Sequence, residues 1–467
     1  MFDLLIRNGK VVLPEETINA DIAINGEKIA AIGNYGSLGI ANEEYDADGK
    51  FILPGLIDPH VHMKHPFREH FAADDFYTTT VSAAFGGTTT IIDFAIQWDK
   101  DKSIEETILN RRKEAESDVV VDFGLHATPT KSNQETIDSV SSCLKLGIPS
   151  YKVYMIYRDQ GRIIEDSVLF GLLESMRIHS GLLMVHAENS SIAEFNRDKY
   201  INEGKINSKY FPEIKPNFVE VEAISRAIYF NRVANSSLYI AHLSTGEGYE
   251  LIKSAQKNGE LVYSETCPHY LLLTKDVYEK DDGANYICSP PLRTESDKNK
   301  LWMGIEDGTI SIVSSDHCGF SLEQKSLGNG DFSKTPNGLP GIETRLSLIY
   351  TEGVRKKRIS INQMTKVLSV NAAKIFGLYP NKGSITPGFD ADLCIFDGDR
   401  ERIITANQLH GAVNWTPYEG MKVFGSIWAT LLRGKFIVRA GKLHVNRGYG
   451  KFIKRSISHM GVNLKED

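Results

Sequence analysis

The sequence predicts a (β/α)8 (TIM) barrel carrying a β-sandwich domain built from both chain ends. Two observations carry the prediction. The central stretch alternates short apolar runs with longer segments of helical period, the mark of repeated βα units and a parallel sheet. The two ends share another texture, β-branched and aromatic runs broken by glycine-containing turns. Termini often lie close together, so one small domain assembled from residues 1–52 and 383–450 around a barrel at 53–382 is physically reasonable. A chain of 467 residues is long enough for a large barrel with such an appendage, or for two to three medium domains.

At the N-terminus, Asn8-Gly9 in LLIRNGKVVL and Asn25-Gly26 in DIAINGEKIAAIG each read as the turn of an antiparallel hairpin. Eight candidate barrel strands follow: FILPGLIDPHVH (51–62), TTTIIDFA (88–95), VVVDFGLHA (119–127), SYKVYMIY (150–157), LLMVHAE (182–188), LYIAHLS (238–244), LVYSETCPHYL (261–271) and ISIVSSDHC (310–318). Segments such as SIEETILNRRKEAES and FVEVEAISRAIYFNRVAN supply the helical layer. The β texture returns in ADLCIFDG and IWATLLRGKFIVRAGKLHV, where Gly434 and Gly441 mark turns. Residues 451–467, of mixed charge with isolated apolar anchors, read as a tail that is either an inter-subunit arm or mobile.

Composition narrows the function. With 41% hydrophobic and 24% charged residues, 39 Gly and 16 Pro, the chain is neither collagen-like, low-complexity nor disordered. A net charge of −7 without a basic run argues against nucleic acid or an anionic membrane as partner and favours a small diffusible substrate. The N-terminus shows no secretory pattern and no long apolar stretch occurs, so the expected compartment is the cytoplasm. Cys143, Cys267, Cys288, Cys318 and Cys394 are odd in number and lack a C-x-x-C pair, so buried reduced thiols are expected.

The informative residues stand at the ends of the candidate strands, where barrels of this class assemble their sites. The first run ends in His60-Val61-His62, and the two-residue pleat of a strand turns both imidazoles to one face. The fourth carries Lys152, the fifth His186, the sixth His242 and the eighth Asp316. One strand histidine is ordinarily structural, but ligand types recurring at several strand ends point to a metal centre. Lys152 fits poorly, because an ammonium among imidazoles and cations is repelled unless its charge is removed.

An ordered set of motifs runs through nearly the whole chain: LPGLIDPHVHM, ADDFYTTTVSAAFGGTTTIIDFA, SYKVYMIY, MVHAEN, AHLSTGEG, ETCPHYLLLT, CSPPLR, SSDHCGF, NGLPGIETR, NAAKIFGLYPNKGSITPGFDADL and PYEGMKVFGS. In this it resembles the cyclic amidohydrolases of the amidohydrolase superfamily, most closely the D-hydantoinase and dihydropyrimidinase branch. The resemblance implies two divalent metal ions, zinc being the first expectation. His60, His62, Lys152 and Asp316 would hold one, and Lys152, His186 and His242 the other. It further implies that carbon dioxide or bicarbonate converts Lys152 to N6-carboxylysine, an anionic bridging ligand. The implied reaction opens a cyclic amide or ureide ring to an N-carbamoyl amino acid through a metal-bridging hydroxide, with Asp316 as proton carrier. Tyr157 would donate to the oxyanion, and Ser289 and Asn337 would present backbone groups to the amide edge. A homotetramer is also implied. His65, His70, His269 and His317 are assigned supporting or structural roles, and Cys318 a buried one.

Two alternatives remain open at this stage. Allantoinases and dihydroorotases share the constellation, and Lys64 stands where dihydroorotases carry a carboxylate-binding arginine. The loop Met63 to Phe71, with Lys64, His65, Arg68, Glu69 and His70, suggests a preference for polar or anionic 5-substituents, unless these charges face solvent. The other alternative is a non-enzymatic dihydropyrimidinase-like assembly protein of the collapsin response mediator type. Such proteins lack several metal ligands, which this chain retains.

Overall fold

The computed structural model describes residues 1–457. The barrel strands are Leu56–Val61, Thr88–Ile96, Asp122–Thr128, Ser150–Tyr154, Leu182–His186, Ser237–Ile240, Leu261–Thr266 and Ile312–Val313, each paired in parallel with the next. Nearly every residue in them is buried, because side chains fill the interior and helices cover the outside. The ring closes where Val61 bridges His317, the His62 N–H donating to the His317 carbonyl at 2.8 Å. Arg345 stitches the same seam from within: its Nη1 donates to the carbonyls of Ile57 and Val313, both at 3.0 Å. Asp58, 3.7 Å from its Nε, supplies the counter-charge that a fully buried guanidinium requires.

The expected helices are present. Ile104–Glu116 starts at Ser103, whose side chain and that of Glu106 cap each other's backbone N–H groups. Asn217–Ala234 stops at Asn235, which turns left-handed at φ 49°.

Most strand runs prove shorter than their apolar stretches suggest, and three lose the most. The run 51–62 is two strands separated at Gly55, where a Cβ would lie 2.2 Å from Thr89 Oγ1. Its first part, Phe51–Pro54, pairs in parallel with Phe2–Val12 and antiparallel with Leu393–Ile403, so it belongs to the end domain. The run 261–271 leaves the sheet after Thr266 and forms a short helix, Pro268–Leu272; Pro268 has no N–H for a ladder and suits the first helical turn. Of 310–318 only Ile312–Val313 is strand, and the remainder turns out to carry Asp316.

The end domain is one nine-stranded sheet whose strands come from both ends of the chain. Its core joins Ile6, Ile22 and Ile52 to Leu393, Ile395 and Leu431, each aliphatic side chain contributing about 1.5–3 kcal/mol on burial. Asn25-Gly26 does form a hairpin, between Thr17–Asn25 and Lys28–Gly33. Asn8-Gly9 does not. Phe2–Val12 is a single strand whose register slips between Ile6 and Gly9, and Asn8 at φ 57° makes a bulge with the same left-handed geometry that a hairpin turn would use. Gly434 and Gly441 turn the successive strands Lys422–Leu432, Lys435–Arg439 and Lys442–Leu443, as expected.

A buried ion cluster fastens the two parts together. Lys382 Nζ lies 2.9 Å from Asp122 at the base of the barrel, and 3.2 and 2.6 Å from Asp390 and Asp392 of the end domain. Arg433 pairs with Asp122 from the other side. Over 451–457 the tail packs on the barrel base: the Phe123 N–H donates to the Lys451 carbonyl at 2.9 Å, the Ile453 N–H donates to the Phe123 carbonyl at 2.8 Å, and the Arg455 guanidinium donates to Ser150 Oγ at 3.1 Å. The remainder of that predicted segment, 458–467, lies outside the described residues. No helix among the described residues is long and apolar enough to cross a membrane, and the five cysteines are buried and unpaired.

Candidate active site

A cavity of about 530 Å³ opens at the C-terminal end of the barrel, and His60, His62, Lys152, His186, His242 and Asp316 all line it. His60 and His62 leave the first strand on one face, their rings 5.2 Å apart. His242 lies 5.3 Å from His60 and 4.4 Å from His186, centre to centre. Asp316 Oδ1 reaches His60 Nε2 at 3.1 Å and His62 Nε2 at 3.3 Å, and ligand atoms of these three residues fall within 4.8 Å of one another. His242, Asp316 and Tyr157 all have positive φ, at 36°, 46° and 69°. Left-handed backbone is costly for side chains other than glycine, asparagine and aspartate, and it gathers at functional sites.

Burial and charge set the state of each group. Burial opposes charging His60, but Glu265 and Asp316 outweigh it and lift the imidazole to about 9. Burial likewise opposes ionising Asp316, yet His60 and His62 hold its carboxyl well below the ordinary range. His186 is lowered to about 4 by burial, so it is a neutral imidazole at pH 7. Lys152 is buried with no hydrogen bond or ion pair among the described residues, facing the rings of Phe94 and Tyr154 at 5.5 and 5.8 Å. Burial lowers it to about 8, against the pull of Glu265 and Asp316.

These residues suit divalent cations. His62 Nδ1 and His242 Nδ1 are buried nitrogens without a hydrogen-bond partner among the described residues, an arrangement that buried polar atoms rarely tolerate. Imidazole nitrogens beside a carboxylate are a common donor set for such ions. Lys152 fits the set only without its positive charge.

The other predicted residues also reach the cavity. Tyr157 lines it, its ring 5.4 Å from His186. Burial and nearby Glu188 raise its phenol well above the usual value, so it remains a donor. Ser289 Oγ donates to Glu188 Oε2 at 3.0 Å. Asn337 is on the rim, followed by Gly338, whose N–H donates to the Ile287 carbonyl at 3.1 Å and whose φ of 144° few side chains adopt.

Lys64 does not line this cavity. It borders a neighbouring pocket of about 220 Å³, with its ammonium 5.3 Å from the Phe71 ring. His65 and Arg68 line the main cavity, while Glu69 and His70 are exposed. His317 pairs with Asp74 at 3.2 Å, and His269 is buried and lowered to about 4 by that burial. Burial pushes the Cys318 thiol far up, which leaves it inert.

Two carboxylates escaped the sequence reading. Glu265, fully buried at the end of the seventh strand, bonds His60 Nδ1 and accepts from the His242 N–H at 3.2 Å and the Tyr239 hydroxyl at 2.9 Å. Glu188 bonds His186 Nε2 at 2.6 Å and Lys215 Nζ at 3.0 Å. Such partners orient ligand imidazoles and fix their tautomers. The signal was an acidic residue within an otherwise apolar strand end, in ETCPHYL and HAEN.

Known proteins resemble the chain over almost its full length. Residues 51–437 match the Amidohydrolase family. The D-hydantoinase of Geobacillus stearothermophilus is 39% identical, covering 97% of this chain and 96% of its own. Among solved structures, D-hydantoinase from a Bacillus sp. AR9 superposes with a TM-score of 0.95 at 40% identity, covering 97% of this chain and 99% of its own. Dihydropyrimidinase from Brevibacillus agri NCHU1002 gives 0.94 at 39%, covering 97% and 98%. A barrel with imidazoles and Asp316 gathered at its C-terminal mouth, matched along its length by these enzymes, belongs to the amidohydrolase family.

Proposed function

We infer that this protein is a metal-dependent cyclic amidohydrolase that opens hydantoin or dihydropyrimidine rings to N-carbamoyl amino acids. The observation that carries the reading is the convergence of four imidazoles, Asp316 and the buried Lys152 in one cavity. His60, His62 and Asp316 would hold one divalent cation and His186 with His242 the other, Lys152 serving both. Bound there, such ions supply the Lewis acidity that makes water a nucleophile near neutral pH and polarises the scissile carbonyl.

The chain's own groups do the rest. Burial brings Lys152 to about 8, so an appreciable fraction is free amine at neutral pH. That amine adds carbon dioxide and releases a proton, which turns a repelled cation into an anionic oxygen ligand. Asp316, ionised but a weak base, accepts the proton of the attacking water and passes it to the leaving ring nitrogen. Tyr157, kept protonated by burial, donates to the developing oxyanion. Backbone groups at Ser289 and Asn337 orient the amide edge.

On this reading the ions are zinc, since nitrogen and oxygen donors suit it, the enzyme works in the cytoplasm, and the assembly is a homotetramer. Metal analysis and light scattering test the ion and the assembly. The reaction is tested by initial ring-opening rates with zinc and bicarbonate on hydantoin, dihydrouracil, allantoin and dihydroorotate. Hydantoin or dihydrouracil should be fastest. A win for allantoin or dihydroorotate would overturn the branch, and inactivity on all four with metal bound would overturn the reaction. The placement of Lys64 outside the main cavity weighs against a dihydroorotase role.

A further inference from the structure

Arg162 is an arginine at the active-site cavity with no ion-pair partner among the described residues. It is held firmly all the same. The loop after the fourth strand turns tightly, the Arg162 N–H donating to the Tyr157 carbonyl at 3.1 Å, and Ile163 bridges back to Tyr154. Lys100, in the loop after the second strand, pins the turn through a 2.7 Å hydrogen bond to the Gly161 carbonyl. The guanidinium carbon lies 4.2 Å from the Trp98 ring centre and 5.6 Å from that of Tyr157. Stacking on aromatic faces fixes the plane of the fork and leaves its N–H edge free for a planar anion.

Nearby carboxylates are engaged elsewhere. Asp159 pairs with Arg197, and Glu194 accepts from Ser190 Oγ at 2.6 Å. Arg162 therefore brings a positive charge to this wall with no carboxylate paired to it among the described residues.

Its position follows from the two loops that carry it. Trp98 and Arg162 follow the second and fourth strands and both line the cavity that holds the imidazoles. The guanidinium stands between the Trp98 and Tyr157 rings, so a substituent that extends from the bound ring past Tyr157 towards Trp98 meets it.

We propose that Arg162, stacked on Trp98, binds a carboxylate on the exocyclic substituent, so that the preferred substrates are cyclic ureides with a short acidic side chain. This rests on the ring-opening reaction inferred above and names its substrate class. The product is then the N-carbamoyl derivative of an acidic amino acid. It also relocates a preference that the polar loop after His62 suggests, from Lys64 to a residue distant in sequence.

The test compares 5-carboxymethyl hydantoin with its near-isosteric neutral amide, 5-carbamoylmethyl hydantoin, on zinc-loaded and bicarbonate-treated enzyme. A hydrogen-bonded charge pair should favour the acid by roughly 10- to 100-fold in kcat/KM, and added salt should shrink the ratio. In Arg162→Met the ratio should collapse towards one, and Arg162→Lys should retain part of it. A ratio near one in the unaltered enzyme, or a ratio that survives Arg162→Met, overturns the assignment while leaving the ring-opening reaction standing. Turnover of neither compound, nor of unsubstituted hydantoin, by metal-loaded protein overturns the reaction and this assignment with it.

Discussion

Glu265→Gln should weaken metal binding about tenfold, and Glu265→Ala about a hundredfold. The carboxylate serves three donors: His60 Nδ1, the His242 N–H at 3.2 Å and the Tyr239 hydroxyl at 2.9 Å. Losing such an outer partner typically costs 10- to 100-fold in metal affinity, about 1.4–2.7 kcal/mol. Glutamine keeps one oxygen for His60 and His242, and its amide can turn to Tyr239, so it belongs at the low end. Alanine frees the His60 ring and strands a buried backbone N–H, so it belongs at the high end.

A second effect has the opposite sign. Glu265 and Asp316 lift His60 to about 9, so a cation arriving at pH 7 must displace a proton, a handicap of about two log units. Removing Glu265 lowers that handicap, which partly masks the loss at pH 7. Above pH 9 the proton is gone and only orientation counts. The assay is therefore zinc titration of chelator-stripped protein against a chromophoric competitor at pH 7 and at pH 9.5, with bicarbonate present and folding checked by circular dichroism. The variants should approach wild type at pH 7 and fall behind at pH 9.5. Wild-type affinity at both pH values would show that His60 needs no orienting partner and would refute the reasoning.

Three further outcomes follow from buried groups. Tyr157→Phe should lower kcat by roughly 10²–10³, the cost of one oxyanion donor; since burial raises this phenol, the wild-type pH–rate profile should show no loss from its ionisation below pH 10. Lys382→Met leaves Asp392 buried without its cation and Asp122 with Arg433 alone, and should cost about 3–5 kcal/mol in urea unfolding. That deficit should shrink on acidification as the stranded carboxylates take up protons, and a deficit independent of pH would count against it. Lys325, buried with only the Ile287 and Pro336 carbonyls as acceptors among the described residues, is lowered by burial to about 7. Between pH 7 and 10.5 the unfolded chain then holds a proton that the folded chain has released, so stability at this site rises with pH by up to about 1.4 kcal/mol per unit. Wild type should gain on Lys325→Met across that range, and a flat difference would mean that the lysine stays charged.

The convergence of the candidate ligands was legible because two rules act locally: a strand alternates faces, and a barrel collects its chemistry at one end of its strands. His60 and His62 need only the first rule, and His186, His242 and Asp316 need only the second. Strand ends were less legible, since hydropathy does not register a missing N–H at Pro268 or the close approach of Thr89 to Gly55. Asn8-Gly9 misled for a related reason, because a bulge and a hairpin turn ask for the same left-handed residue. Glu265 and Glu188 stayed hidden because an acidic residue in sequence reads as solvent-facing; only their burial against His60 and His186 reveals their work.

Lys64 and Arg162 mark the limit most clearly. Lys64 looks privileged because it follows the H-x-H pair, but its backbone, at φ 45° and bonded to the Asp74 carbonyl at 2.9 Å, carries the side chain over Phe71. Arg162 is unremarked in sequence, and a contact between two separate loops, its stacking on Trp98, brings it to the cavity. Metal ligands on strands inherit the regularity of the barrel, so their positions follow from register. Groups that select a substrate sit on loops whose mutual contacts have no period, so specificity in this fold is decided by pairs of residues that only the folded chain makes neighbours.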